Sequence, residues 1–295
     1  MRPMLSDATI ATPVPAGLRA IGLCVDDYGL HSGIDEASVR LAELGRISAV
    51  SVMSGGPTWR VGAAALRALP PEQLDVGLHL NFSESVGDSE PFWSLRGLIL
   101  RSHARLLPTR LLQASIRRQL DRLVQALGRA PAHVDGHQHV QQLPQIREQL
   151  LQVLAEELDK LGVAPGSAAA PWLRCGSAPD AADLPERRKA RLIDSLGATT
   201  LRQQAGQRGW RCNGHLLGVY GFGGDAALFR ARLLQWASLA QTGDLIMCHP
   251  ATQTTMSDPI AAARRREYEV LSAADLPEQL AEQGVCIRPL SQVLG

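Results

Sequence analysis

A chain of 295 residues with a net charge of +1, 45% hydrophobic and 20% charged, fits a soluble globular enzyme and argues against a protein built to grip nucleic acid. It has no uncharged apolar run of the ~18 residues needed to cross a bilayer, and its start lacks the apolar segment of a signal peptide. The five cysteines form no C-x-x-C pair and are odd in number, so a disulfide framework is not expected and a reducing cytoplasm fits.

Residues 1–17 read as a flexible tail and residues 18–295 as one domain. From residue 19 a unit recurs: a short apolar run, a polar tip, then an amphipathic helix. "RAIGLCVDD" is the first run, with Ser32 as the expected cap of the helix that follows. "ISAVSVM" and "LDVGLHL" are the second and third runs, and a long helix is expected over 109–128. "PAHVDGHQHV" is the fourth run, followed by the helix "PQIREQLLQVLAEELDKLG". "PWLRCG" precedes one helix around 186–207. "GHLLGVYGF", "DLIMCHP" and "GVCIRPL" complete the series. Runs that are apolar throughout suggest parallel strands buried on both faces. Seven or eight strand–helix units favour a single α/β domain, a distorted, TIM-like (β/α) barrel with mostly parallel strands. No G-x-G-x-x-G or P-loop pattern follows the first strand, which weakens nucleotide-binding alternatives.

The polar residues cluster at the C-terminal tips of these runs, where parallel barrels keep their catalytic groups. They are Asp26 and Asp27, then His79, then Asp135, His137 and His139, then Arg174 and His249. In "HVDGHQH", His133, Asp135, His137 and His139 fall at every second position, which in a strand would put all four on one face. Two adjacent carboxylates cannot both aim into one pocket from an ideal strand, so one is expected to meet a cation while the turn, with Gly29, re-aims the other. Together with His79 such groups form an Asp-His-His set that leaves room for water and substrate. One divalent cation is the simplest count. Zinc, magnesium, manganese, nickel and cobalt all stay open, although two imidazoles favour a transition metal over magnesium. His249 is suited to protonating a leaving group, and Arg174 to anchoring a neighbouring carboxylate or a substrate oxygen. His31, His103 and His215 fall off the strand tips. The five tryptophans include candidates for a sugar-stacking platform, with no means of choosing among them.

"VDDYG", "GLHL", "HVDGHQHV", "LR" at 173–174 and "MCHPA", in that order, resemble the YdjC-like family of carbohydrate deacetylases over about residues 19–290. The resemblance implies a distorted β/α barrel and metal ligation by Asp27, His79 and His137. It also implies that Asp26 acts as the base and that His249 assists the leaving group. Many members of the family have further histidines where this chain has Gln138 and Gln141, a departure that leaves the three implied ligands intact. Asp135 and His139 are expected to orient the ligands or His249, and a backbone N–H near Tyr28 to help hold an oxyanion. The implied reaction is metal-dependent removal of the N-acetyl group from an acetylated amino sugar, either a GlcNAc-type oligosaccharide or a lipid-linked N-acetylhexosamine. A phosphoesterase on a similar barrel and a non-catalytic sugar-binding barrel are the competing readings.

Residues 92–122 carry seven arginines against one acid among leucines. They read either as an ordinary packed insertion or as a stretch that touches the inner face of a membrane. The partners expected are the sugar substrate and no nucleic acid, with a homodimer left open.

Overall fold

The computed structural model describes residues 14–86 and 90–295. The expected tail at 1–17 falls mostly on residues 1–13, which lie outside the described residues. Eight strands, all parallel where they pair, make the frame: β1 (Arg19–Tyr28), β2 (Ala49–Val52), β3 (Asp75–Leu80), β4 (His133–Gly136), β5 (Trp172–Leu173), β6 (Leu216–Leu217), β7 (Leu245–Cys248) and β8 (Val285–Ile287). Their order is β5-β4-β3-β2-β1-β7-β6, with β8 paired to the first residues of β1. The sheet curls into a distorted (β/α) barrel. Between β5 and the β6 side, an isolated bridge, Leu173 to Cys212, and a hydrogen bond from the Leu216 N–H to Ser177 O at 2.8 Å join the two ends.

The helices are α1 (Ser32–Glu43), α2 (Trp59–Ala68), α3 (Leu95–His103), α4 (Thr109–Leu127), α5 (Pro144–Lys160), α6 (Arg187–Ser195), α7 (Ala198–Gly206), α8 (Ala226–Leu239), α9 (Ala261–Ser272) and α10 (Leu276–Glu282). Among the described residues no helix is long and apolar enough to cross a membrane. In α4 the buried residues Leu112, Ile116, Leu120, Leu123 and Leu127 recur at helical spacing and face the sheet. Gly128 ends that helix in the left-handed conformation, at φ 72°. The strands are buried on both faces, as their apolar runs require.

Three local expectations change. Ser32 is the first residue of α1, and His31 holds the cap position without a side-chain cap bond. The helix expected at 186–207 is two helices, because Gly197 takes φ 124°, a conformation unfavourable to residues with side chains. The alternating row beginning at His133 stops at Gly136. The chain then enters a 3-10 turn over His137–Gln142, with Gln138 and His139 left-handed at φ 54° and 61°. His133 and Asp135 therefore share a strand face, while His137 and His139 are placed by the turn.

Candidate active site

The site lies where β1, β3, β4 and β7 end. On β1, the register against β2 shifts between Val25 and Tyr28, and Asp27 takes φ 69°. This bulge, rather than Gly29, re-aims the second carboxylate, so that Asp26 and Asp27 both join the cluster. Asp26 accepts two hydrogen bonds from the Arg174 guanidinium, each 2.7 Å. Arg174 also stands 2.7 Å from Asp135 Oδ2 and donates to Ser51 Oγ at 3.2 Å. Its side chain is fully buried, so its partners are these carboxylates rather than a substrate oxygen.

Asp27, His79 and His137 converge. His137 Nδ1 lies 2.9 Å and His79 Nε2 3.5 Å from the same oxygen, Asp27 Oδ1. Nitrogen and oxygen ligands about 2.0–2.2 Å from one ion sit about 3.0–3.4 Å from one another, so these residues fit a divalent cation. His79 Nδ1 meets Asp135 Oδ1 at 2.6 Å, which fixes the ring with Nε2 toward Asp27. Arg264 donates to the other oxygen of Asp27 at 2.7 Å and to Asp258 at 2.8 Å.

Two further groups have the composition of a cation site, Cys24–His133–Asp135 and Asp26–His79–Asp135. In the first, the Ser51 hydroxyl already bridges His133 at 2.9 Å and Asp135 at 2.6 Å. In the second, the Arg174 guanidinium occupies the carboxylates. Of the three, the Asp27 group alone includes a partly exposed ligand, His137.

Burial opposes ionisation of Asp26, but Arg174 and then His79 outweigh it and hold the carboxyl below its usual range. Asp27 is likewise held well below, with burial overcome by Arg264 and His137. Burial alone would push His79 down, yet Asp135 and Asp26 lift it to about 10. A cation and a proton thus compete for the same place between these groups. Burial pushes His249 down to about 4, so it is neutral at neutral pH.

His249 Nε2 lies 3.9 Å from Asp26 Oδ2, and the ring meets Phe222 edge-on at 5.3 Å. Its backbone N–H donates to Glu267, which also accepts from the Tyr220 hydroxyl. The Tyr28 phenol packs against Trp59 and donates to Gly62 O at 2.8 Å, while the part expected near Tyr28 is that of a backbone N–H. One expected neighbour is not brought to the site in the expected way. His139 makes no hydrogen bond to a ligand or to His249, because the left-handed turn carries it off the strand row, and its Nδ1 is buried without a partner. His215 pairs with Asp244 ahead of β7, at the opposite end of the barrel.

Sequence reasoning passed over Ser51, Arg264 and Glu267. In "AARRREYEVL" the arginines and glutamates look like a solvated helix face. The signal was positional: Arg264 and Glu267 fall on the same stripe as Ala263, Val270 and Leu271, the inward face of α9.

Fold and cluster together define a distorted (β/α) barrel with an Asp-His-His group at the strand C-termini. The sequence profile described as YdjC-like protein matches residues 20–282, and the chain belongs to that family. A chitooligosaccharide deacetylase of Serratia marcescens is 27% identical over 268 residues, covering 88% of this chain and 93% of that protein. A carbohydrate deacetylase of Danio rerio is 29% identical over 146 residues, 44% of this chain, and the match spans only 45% of that protein. Among solved structures, a proposed cellobiose-phosphate cleavage protein of Enterococcus faecalis superposes with a TM-score of 0.67 at 16% identity, covering 94% of this chain and 100% of that one. That likeness concerns the fold.

Proposed function

We propose that this protein is a metal-dependent N-deacetylase of an acetylated amino sugar, releasing acetate and the free amine. The observation that carries the reading is the convergence of Asp27, His79 and His137 on one point beside the buried, anionic Asp26. The names of the deacetylase relatives supply the substrate class. A divalent cation held there would polarise the amide carbonyl and make an attacking water more acidic.

The chain's own groups have separate tasks. Asp26, kept ionised and fixed in both oxygens by Arg174, accepts the proton of the attacking water. Arg174 keeps that carboxylate from rotating, and Asp135 keeps His79 in the tautomer that faces Asp27. His249 is partly exposed and stands 3.9 Å from Asp26. Negative charge developing on the carbonyl oxygen raises the proton affinity of the His249 ring, which takes up from Asp26 the proton drawn from the water and passes it to the departing nitrogen, a group that leaves poorly as an anion, so one proton moves from water to amine.

The test is acetate release from N-acetylglucosamine oligomers and from lipid-linked N-acetylhexosamines by protein loaded in turn with zinc, manganese, cobalt, nickel and magnesium. Asp26→Asn should retain cation binding and lose turnover by about 10²–10⁴-fold. Full activity in Asp26→Asn rules out the assigned base, and no acetate with any cation across the panel rules out the reaction.

A further inference from the structure

The chain between β3 and β4 carries a surface that the site does not use. On α3, Arg96, Leu100 and His103 follow one another at helical spacing on the exposed face, while Leu98 and Ser102 are buried beneath. Leu106, Arg110 and Leu111 extend the exposed strip into the start of α4. Leu100 and Leu106 are 72% and 71% exposed, and Phe92 is 55% exposed. Isolated exposed leucines need no explanation, but four large apolar side chains exposed over residues 92–111, Phe92, Leu100, Leu106 and Leu111, exceed that expectation.

The charges that this segment itself contributes have one sign. No acidic residue occurs between Glu90 and Asp121. The other arginines of the segment are engaged: Arg105, within the patch, with Glu148, and farther along Arg117 with Glu156 and Glu157, and Arg118 and Arg122 with Glu90. Arg96, Arg101 and Arg110 have no carboxylate partner among the described residues and lie exposed beside the leucines.

The patch also lies on the site's side of the barrel. The sheet is parallel, and α4 runs back to the start of β4, so its first turn and α3 stand at the rim where β3 and β4 end. The segment leaving β3 ties the two together. Glu84 Oε2 lies 4.0 Å from His137 Nε2, and Phe82 packs on Trp93 with ring centres 6.1 Å apart.

We propose that this patch docks on an anionic membrane surface and holds the Asp27–His79–His137 rim toward it. Arg96, Arg101 and Arg110, without a carboxylate partner among the described residues, supply attraction to acidic headgroups, and Phe92, Leu100 and Leu106 supply apolar area for the interface. This inference does not depend on the reaction.

The test is sedimentation of the full chain with vesicles of phosphatidylcholine alone and of phosphatidylcholine mixed with phosphatidylglycerol. The protein should pellet with the anionic vesicles at low salt, stay in solution with the neutral ones, and be released near 1 M salt, where screening shortens to about 3 Å. Replacing Arg96, Arg101 and Arg110 together by alanine should weaken partitioning roughly fivefold per arginine, on the order of a hundredfold in all. The melting temperature reports that this variant is folded. No pelleting with anionic vesicles at low salt overturns the proposal, as does undiminished binding by the folded triple variant. A dimer that Leu100→Ser with Leu106→Ser splits in sedimentation velocity also overturns it, because the patch then belongs to a second copy.

Discussion

Replacing Arg174 by alanine tests how the charged centre is held together. The guanidinium is fully buried and sits 2.7 Å from both oxygens of Asp26 and from one oxygen of Asp135. Alanine leaves both carboxylates buried without that countercharge. Breaking a buried ion pair from one side costs about 3–5 kcal/mol, mostly the penalty of the stranded charge. For a chain of this size the unfolding entropy is roughly 0.6 kcal/mol/K, so the melting temperature should fall by about 5–8 °C at pH 7. Asp26 is depressed in the folded protein, so its stabilisation is present above the unfolded carboxylate pKa and lost as pH falls through the folded value. The gap between wild type and Arg174→Ala should therefore narrow as the pH is lowered. Arg174→Lys keeps the charge but loses the two-pronged contact, and should fall between them. Calorimetry across this pH range decides the matter: equal melting of wild type and Arg174→Ala at pH 7 refutes the reasoning.

Glu267 is pushed up to about 7 by burial, so its folded form holds a proton that the unfolded chain releases near pH 4.5, and stability should fall as pH rises between these values. Glu267→Gln should remove that dependence, visible as a smaller loss of melting temperature from about pH 5 to about pH 8. Isothermal titration with zinc and manganese should show one site in the wild type and none in Asp27→Asn. A cation at about a hundred times its dissociation constant adds about 2.7 kcal/mol, so it should raise the wild-type melting temperature by about 4 °C, and a chelator should reverse the rise. Asp135→Asn should weaken cation binding about 10–100-fold by loosening His79, with less effect on Asp26.

Much of the architecture was legible because parallel strands buried on both faces leave continuous apolar runs, and because their polar tips recur at one end. The gathering of aspartates and histidines at one rim rests on that regularity, while the choice of Asp27, His79 and His137 among them came from the family resemblance. What could not be read were departures from it. Alternation over 133–139 suggests a strand, but the left-handed residues Gln138 and His139 end the row after Gly136. The bulge at Asp27 leaves no mark in "VDDYG" beyond the doubled acid. Arg264 and Glu267 were hidden because charged residues on a helix ordinarily mark the wet face, and only their register with Val270 and Leu271 betrays the inward one. The tryptophans divide clearly once packed: Trp59, Trp172, Trp210 and Trp236 are core residues, and Trp93 alone lies partly exposed beside Phe82.

The position of β1 has a consequence for how the chain assembles. Cys24 is aligned with Ala49 on one side and with Met247 on the other, neighbours 25 and 223 residues away along the chain. The strand bearing both aspartates therefore gains its second flank only when nearly the whole polypeptide has been made and has collapsed. Until then it offers a bare row of amides and carbonyls to any passing extended segment, which makes aggregation of incomplete chains a standing hazard of this topology.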